Sequence, residues 1–244
     1  MRDRGARCLR YCVAGLAACG ALLATGCSQA ETAPREVAES ADNRPVVLFL
    51  GTSLTAGYGL SSEQAFPALL QERMDAAGFA YRAVNAGVSG DTSAGGLRRL
   101  EWLLRLPVAV LVLELGANDM LRGQDAATLA ANLRGIVDRA RAAHPGVRLV
   151  VAGMRAPPNL GPRYVEAFEA VYSNLARATD GALIPFLLRG VAGDPALNQA
   201  DAIHPTAEGQ QMLAATVWET LAPVLAEGEP SDSPPTGAPA GATH

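Results

Sequence analysis

Apolar positions along this chain gather into short continuous runs separated by longer stretches with helical periodicity. Val46–Leu50, Tyr81–Val84, Val108–Leu113 and Val147–Ala152 are rich in β-formers, the pattern of strands buried on both faces, and Ala182–Ile184 is a weaker fifth run. Between them Gln64–Ala77, Ser93–Leu104, Ala126–Ala143 and Tyr164–Ala178 read as helices, and a last helix spans about Thr206–Leu225. Asp125 before Ala126 and Thr206 before Ala207 are N-cap signals. Strand–helix alternation with short connections predicts an α/β fold, a parallel sheet of about five strands covered by helices on both faces.

The pattern changes at both ends. Residues 1–12 carry Arg2, Arg4, Arg7 and Arg10, and Val13–Ala24 is an apolar run too short to span a bilayer comfortably, which together read as a secretory signal. Leu22-Leu23-Ala24-Thr25-Gly26-Cys27 resembles a bacterial lipobox, with Ala24 where that pattern prefers leucine. Two processing outcomes are open: lipidation of Cys27, or cleavage after the small-residue site Ser28-Gln29-Ala30. By the lipobox resemblance, Ser28 after the cysteine directs the chain to an outer membrane. Either way the expectation is export, as a periplasmic protein or an outer-membrane lipoprotein held by an N-terminal lipid anchor. Residues 28–44 are polar and read as a tether. Residues 45–227 form the expected globular domain, and residues 228–244, rich in Pro, Gly and Ser, read as a disordered tail.

Composition narrows the chemistry. The formal charge is −4, and setting aside the net +3 of Arg2, Asp3, Arg4, Arg7 and Arg10 leaves −7, no footprint for DNA or RNA. All 20 basic positions are arginine, which excludes Schiff-base, Ser–Lys and Walker-type lysine chemistry. The cysteines, Cys8, Cys12, Cys19 and Cys27, all precede the domain, so its body has no disulfide, thiol nucleophile or cysteine metal site.

What remains is a serine. Gly51-Thr52-Ser53-Leu54 follows the first apolar run, so Ser53 sits at the carboxyl end of a buried strand, where open α/β sheets place ligands. A serine hydrolase needs a base and an orienting carboxylate. His244 lies in the tail, and His144 ends a helix, where a histidine complements the helix dipole or faces solvent. His204 lies in Asp201-Ala202-Ile203-His204-Pro205, where a turn can aim Asp201 at Nδ1 and leave Nε2 facing Ser53; alternatively both are loop and capping residues. The loop Val84–Thr92 is read as following the second strand, its glycines leaving backbone N–H groups available to an oxyanion. Asn118, after the third strand, offers a side-chain donor, or an Asx-turn or helix cap.

In order, GTSL around Ser53, the glycine loop ending Ser89-Gly90-Asp91, Gly116-Ala117-Asn118-Asp119 and Asp201–Pro205 resemble the four blocks of SGNH (GDSL-type) hydrolases. The intervening sequence is similar to the bacterial secreted group of multifunctional acyl-CoA thioesterases, arylesterases and lysophospholipases. That resemblance implies a flavodoxin-like three-layer α/β/α sandwich and a serine esterase acting on carboxylic esters and thioesters of short to medium acyl chains. It implies Ser53 as nucleophile, His204 as base and acid, and Asp201 as orienter. The oxyanion hole would comprise the backbone N–H groups of Ser53 and Gly90 and the Asn118 side chain. It implies no metal or organic cofactor, an acyl ester or lipid as small-molecule substrate, and no obligate protein partner. The family's usual Asp before the serine is Thr52 here; its hydroxyl is expected to make a local turn bond, with modest effects on loop geometry or rate. Leu121, Met154 and Pro157, on loops at strand ends, are expected to line an acyl groove, the alternative being ordinary packing. The rival readings are a carbohydrate deacetylase of the same superfamily and a non-catalytic envelope lipoprotein.

Overall fold

The computed structural model describes residues 42–228. The expected secretory signal, Cys27, all but the last residues of the expected tether, and residues 229–244 lie outside the described residues. Five strands form one all-parallel sheet in the order β2-β1-β3-β4-β5: β1 (Val46–Gly51), β2 (Arg82–Gly87), β3 (Val108–Glu114), β4 (Arg148–Ala152) and β5 (Ala182–Ile184). The central strands β1 and β3 are almost wholly buried, as their unbroken Val/Leu/Phe runs require. Edge strand β2 is half-exposed.

Helices α2 (Phe66–Ala76) and α7 (Ala207–Ala226) pack together on one face, and α3 (Ser93–Leu103), α5 (Ala126–Ala143) and α6 (Pro162–Ala178) form a row on the other. This is the expected three-layer sandwich. Asp125 caps α5 by accepting the Thr128 N–H at 2.7 Å, and Thr206 caps α7 by accepting the Gly209 N–H. Between the layers Phe49 on β1 meets Phe66 edge-on, with ring centroids 5.7 Å apart.

The order has a functional consequence. From β1 the chain crosses to β2 on one side and then to β3 on the other, so the winding reverses between β1 and β3. The loops leaving these two strands diverge and open a crevice at the carboxyl edge of the sheet. Two short helices with too few residues to show periodicity line that crevice: α1 (Ser53–Ala56) after β1 and α4 (Ala117–Leu121) after β3.

Candidate active site

The chain turns sharply after β1. Ser53 opens α1 one residue beyond Thr52, and the turn is tight because Gly51 lies where a Cβ would overlap Thr55 Oγ1 and the carboxylate of Glu114. Glu114, the last residue of β3, is 1% exposed and lies beneath the turn. It accepts the Thr52 N–H at 2.8 Å, the Thr52 hydroxyl at 3.0 Å and the Thr55 hydroxyl at 2.7 Å. Burial pushes its carboxyl up from the ordinary value, against the opposing pull of those donors. The Thr52 hydroxyl therefore makes a cross-strand bond to Glu114, not the local turn bond expected from sequence. A threonine donates to a buried carboxylate where an aspartate would set a second acceptor beside it.

His204 reaches this turn from the other side of the crevice. Its Nε2 is 2.9 Å from Ser53 Oγ, and its Nδ1 is 2.7 Å from Asp201 Oδ2. The other carboxylate oxygen, Oδ1, accepts the Ile203 and His204 backbone N–H groups, so the loop is folded about the Asp201 side chain. The His204 N–H, then the imidazole and the Ile203 N–H, hold the Asp201 carboxyl down at about 2. Asp201 is thus ionised throughout the pH range in which an imidazole works, and it fixes the tautomer with the proton on Nδ1 and a free Nε2 facing the serine. Ala202 between them has φ +57°, a left-handed conformation seldom taken by alanine. The Tyr58 ring lies against the imidazole, with centroids 4.5 Å apart. His144 is remote from this cluster; its Nε2 lies 3.0 Å from the Leu104 carbonyl oxygen.

The glycine loop is shorter than the sequence suggested, because β2 continues through Gly87 in register with Gly51. Val84–Gly87 satisfy the parallel ladder, and only the residues from Val88 onward form the loop. Gly90 there has φ +78°, which a glycine adopts at no steric cost. Neither the Gly90 nor the Ser53 backbone N–H donates to another group among the described residues, so both are available at the crevice. Asn118 is neither an Asx-turn nor a cap: it lies within α4, and one Nδ2 hydrogen goes to the Asp91 carbonyl at 2.8 Å, leaving the other to donate. Its neighbour Asp119 is buried and accepts the Ser93 N–H at 2.8 Å, which ties α4 to the start of α3.

These residues border a cavity of about 460 Å³ that includes Ser53, Gly90, Asn118 and His204. Leu121 and Met154 line it, joined by Met120, Leu188 and Ile203. Pro157 does not: past Arg155 the chain leaves the wall, and Pro157 caps the 3₁₀ turn Pro158–Leu160 on the surface. Sequence reasoning gave no role to Glu114, Asp119 or Tyr58; of the three, only Glu114 carried a hint, an acid ending an apolar strand run. A serine bonded to a correctly held imidazole, with convergent free donors beside an apolar cavity, can perform acyl transfer.

Comparison with known proteins agrees with that chemistry. Residues 49–212 match the model of the GDSL-like Lipase/Acylhydrolase family. The chain is 44% identical over 206 residues to the "Esterase TesA" of Pseudomonas aeruginosa, covering 84% of this chain and 99% of that protein. It is 41% identical over 181 residues to the "Thioesterase 1/protease 1/lysophospholipase L1" of Escherichia coli (strain K12), covering 73% and 84% respectively. A crystal structure of TesA superposes with a TM-score of 0.70 at 47% identity, over 73% of this chain and 99% of that one.

Proposed function

The chain belongs to the GDSL-like lipase/acylhydrolase family and is an ester-bond hydrolase, and from that premise we propose that Ser53, His204 and Asp201 perform its chemistry. The observation that carries the assignment is the unbroken relay from Asp201 Oδ2 through the imidazole to Ser53 Oγ, at 2.7 and 2.9 Å.

In this reading Ser53 Oγ attacks the carbonyl carbon of an ester or thioester while His204 Nε2 takes its proton. The carbonyl oxygen becomes an oxyanion held by the Ser53 and Gly90 N–H groups and by Asn118 Nδ2. Collapse of the tetrahedral intermediate breaks the bond to the alkoxide or thiolate, which leaves with the proton from Nε2. Water, deprotonated by the same nitrogen, then releases the acid from the acyl-serine. Asp201 stabilises the imidazolium in both halves. Asn118→Ala should lower kcat by roughly 10²–10³ with a smaller change in KM, since the oxyanion forms only in the transition state. Steady-state kinetics with a p-nitrophenyl ester would check this.

For substrate, we infer short to medium acyl esters and thioesters, with lysophospholipids also accepted. The apolar wall of Met120, Leu121, Met154 and Leu188 suits an acyl chain, and the names of the relatives agree. The arginine-rich start and apolar run read from sequence support export, and an exported enzyme does not meet bulk cytosolic acyl-CoA. Mass spectrometry of the mature N-terminus distinguishes lipidation of Cys27 from cleavage after Ala30.

The direct test is labelling with a fluorophosphonate and peptide mapping. A label on Ser53, with turnover of acetyl through octanoyl esters, is the expected result. Label elsewhere or none would overturn the triad, and activity confined to acetylated sugars would favour a deacetylase.

A further inference from the structure

Arg99 lies on α3, behind the crevice, and the acyl-transfer scheme gives it no part. Its guanidinium nevertheless binds two loops at once. Nη2 donates to the Gly51 carbonyl at 2.9 Å, and Nε donates to Asp91 Oδ2 at 2.7 Å. Gly51 ends β1 two residues before Ser53, and Asp91 follows Gly90 directly. The ion pair is well shielded, with side chains 24% and 13% exposed.

The Gly90 loop is lightly packed: Val88, Ser89 and Gly90 are exposed, and a Cβ built on Gly90 would touch only the Arg122 side chain, at 3.8 Å. Hydrogen bonds are therefore prominent in holding it. Its main-chain carbonyls are held by Asn118 Nδ2 at Asp91 and by Arg122 Nη2 at Gly90, both from the β3 side. On the β1 side, the Val88 N–H donates to the Gly51 carbonyl at 3.0 Å, and the Asp91 N–H closes the turn by donating to the Val88 carbonyl, also at 3.0 Å. Arg99 adds the side-chain link between the nucleophile's strand and the carboxylate of the residue after Gly90. A planar guanidinium can hold two acceptors at a fixed angle, whereas an ammonium is a point charge on a flexible stem.

We propose that Arg99 is a positioning residue that keeps the Ser53 turn and the Gly90 loop in register, so that two oxyanion donors from different loops converge on one point. The proposal rests on the roles given above to Ser53 and Gly90. Arg99 does not border the catalytic cavity and acts through these neighbours. It lines instead a groove of about 860 Å³ between α3 and edge strand β2, beside Val84, Ala86 and Leu103. Trimming the side chain therefore leaves a space that a small solute can enter from solvent.

Removing this brace should disturb the transition state more than substrate binding, because misplacement of about 1 Å can cost on the order of 10²-fold in rate. In the full chain, Arg99→Met and Arg99→Ala should lower kcat by about 10- to 100-fold per Ser53 site titrated to completion with fluorophosphonate, with KM within about twofold. Arg99→Lys, which keeps charge and stem where methionine disturbs folding, should recover no more than a small part of the loss. Guanidinium chloride, at concentrations too low to denature, should raise kcat of Arg99→Ala severalfold and leave Asn118→Ala unchanged. The proposal is overturned if kcat per titrated site in Arg99→Met stays within twofold of the parent. It is equally overturned if Arg99→Lys recovers the parent kcat, or if guanidinium does nothing for Arg99→Ala. Absence of label on Ser53 in the parent would bring down the reaction assignment and this brace with it. Label and turnover in the parent beside an unaffected Arg99→Met would remove the brace alone.

Discussion

Ser53→Ala is expected to lose turnover by a factor on the order of 10⁶ while keeping the parent's fold. The size follows from the geometry: His204 Nε2 lies 2.9 Å from Ser53 Oγ, and with that oxygen gone the base has no nucleophile to deprotonate. No thiol or amine nucleophile can replace it, since the domain contains neither cysteine nor lysine. The fold should persist because Ser53 makes no other side-chain hydrogen bond among the described residues, and alanine suits the first turn of α1. Hydrolysis of p-nitrophenyl butyrate, fluorophosphonate labelling and thermal unfolding by circular dichroism together check the prediction. Activity near the parent's would remove Ser53 from the mechanism, whereas a collapsed melting temperature would show a structural role the contacts do not display.

The largest effect on stability is expected at Glu114. Truncation to alanine leaves the Thr52 N–H without a partner in a buried site, and the Thr52 and Thr55 hydroxyls must rotate to find other acceptors. An orphaned buried donor costs about 1–3 kcal/mol, so Glu114→Ala should lose about 1–3 kcal/mol in urea unfolding at neutral pH. Glu114→Gln keeps the shape and one acceptor and should lose less. The same residue governs a pH dependence. Burial raises its carboxyl above the ordinary value of 4.5, so between that value and the raised one the folded state holds a proton that the unfolded state has released. Its contribution to stability is complete below the ordinary value and declines as pH rises through the raised one. Glu114→Gln should remove this decline, which urea midpoints measured across the acidic to neutral range would reveal.

These two residues also mark what the sequence could and could not disclose. Ser53, Asp201 and His204 were legible because the chain supplies few alternatives: one histidine beside a carboxylate, and one serine at the end of a strand with a buried-run pattern. The strands β1, β3 and β5 and helix α5 were legible from unbroken or periodic apolar runs. Edge strand β2 was partly obscured, because Asn85-Ala86-Gly87 has turn composition yet pairs with β1 residue by residue. There, tertiary pairing overrides local propensity. Glu114 and Asp119 were hidden for a different reason. A buried carboxylate is justified only by donors brought to it from elsewhere in the chain, here Thr52 and Thr55 or Ser93, and spacing along the sequence does not announce such partners. Pro157 was misplaced because a loop at the right edge of the sheet need not follow the cavity wall beyond its first residues.

The sheet also determines where the domain can be handled. The chain enters at Val46 and leaves after Ala226, and both points lie at the amino edge of the sheet: Val46 pairs with Arg82, while Arg148 at the start of β4 bonds both the Tyr81 hydroxyl and the Val224 carbonyl. Roughly 20 Å of strand separates that edge from Ser53. With Val46 and the end of α7 both at the amino edge, a linker joining residue 228 to residue 42 would run along that edge, away from the Ser53 crevice, which suits the domain to circular permutation with new ends opened in a surface loop.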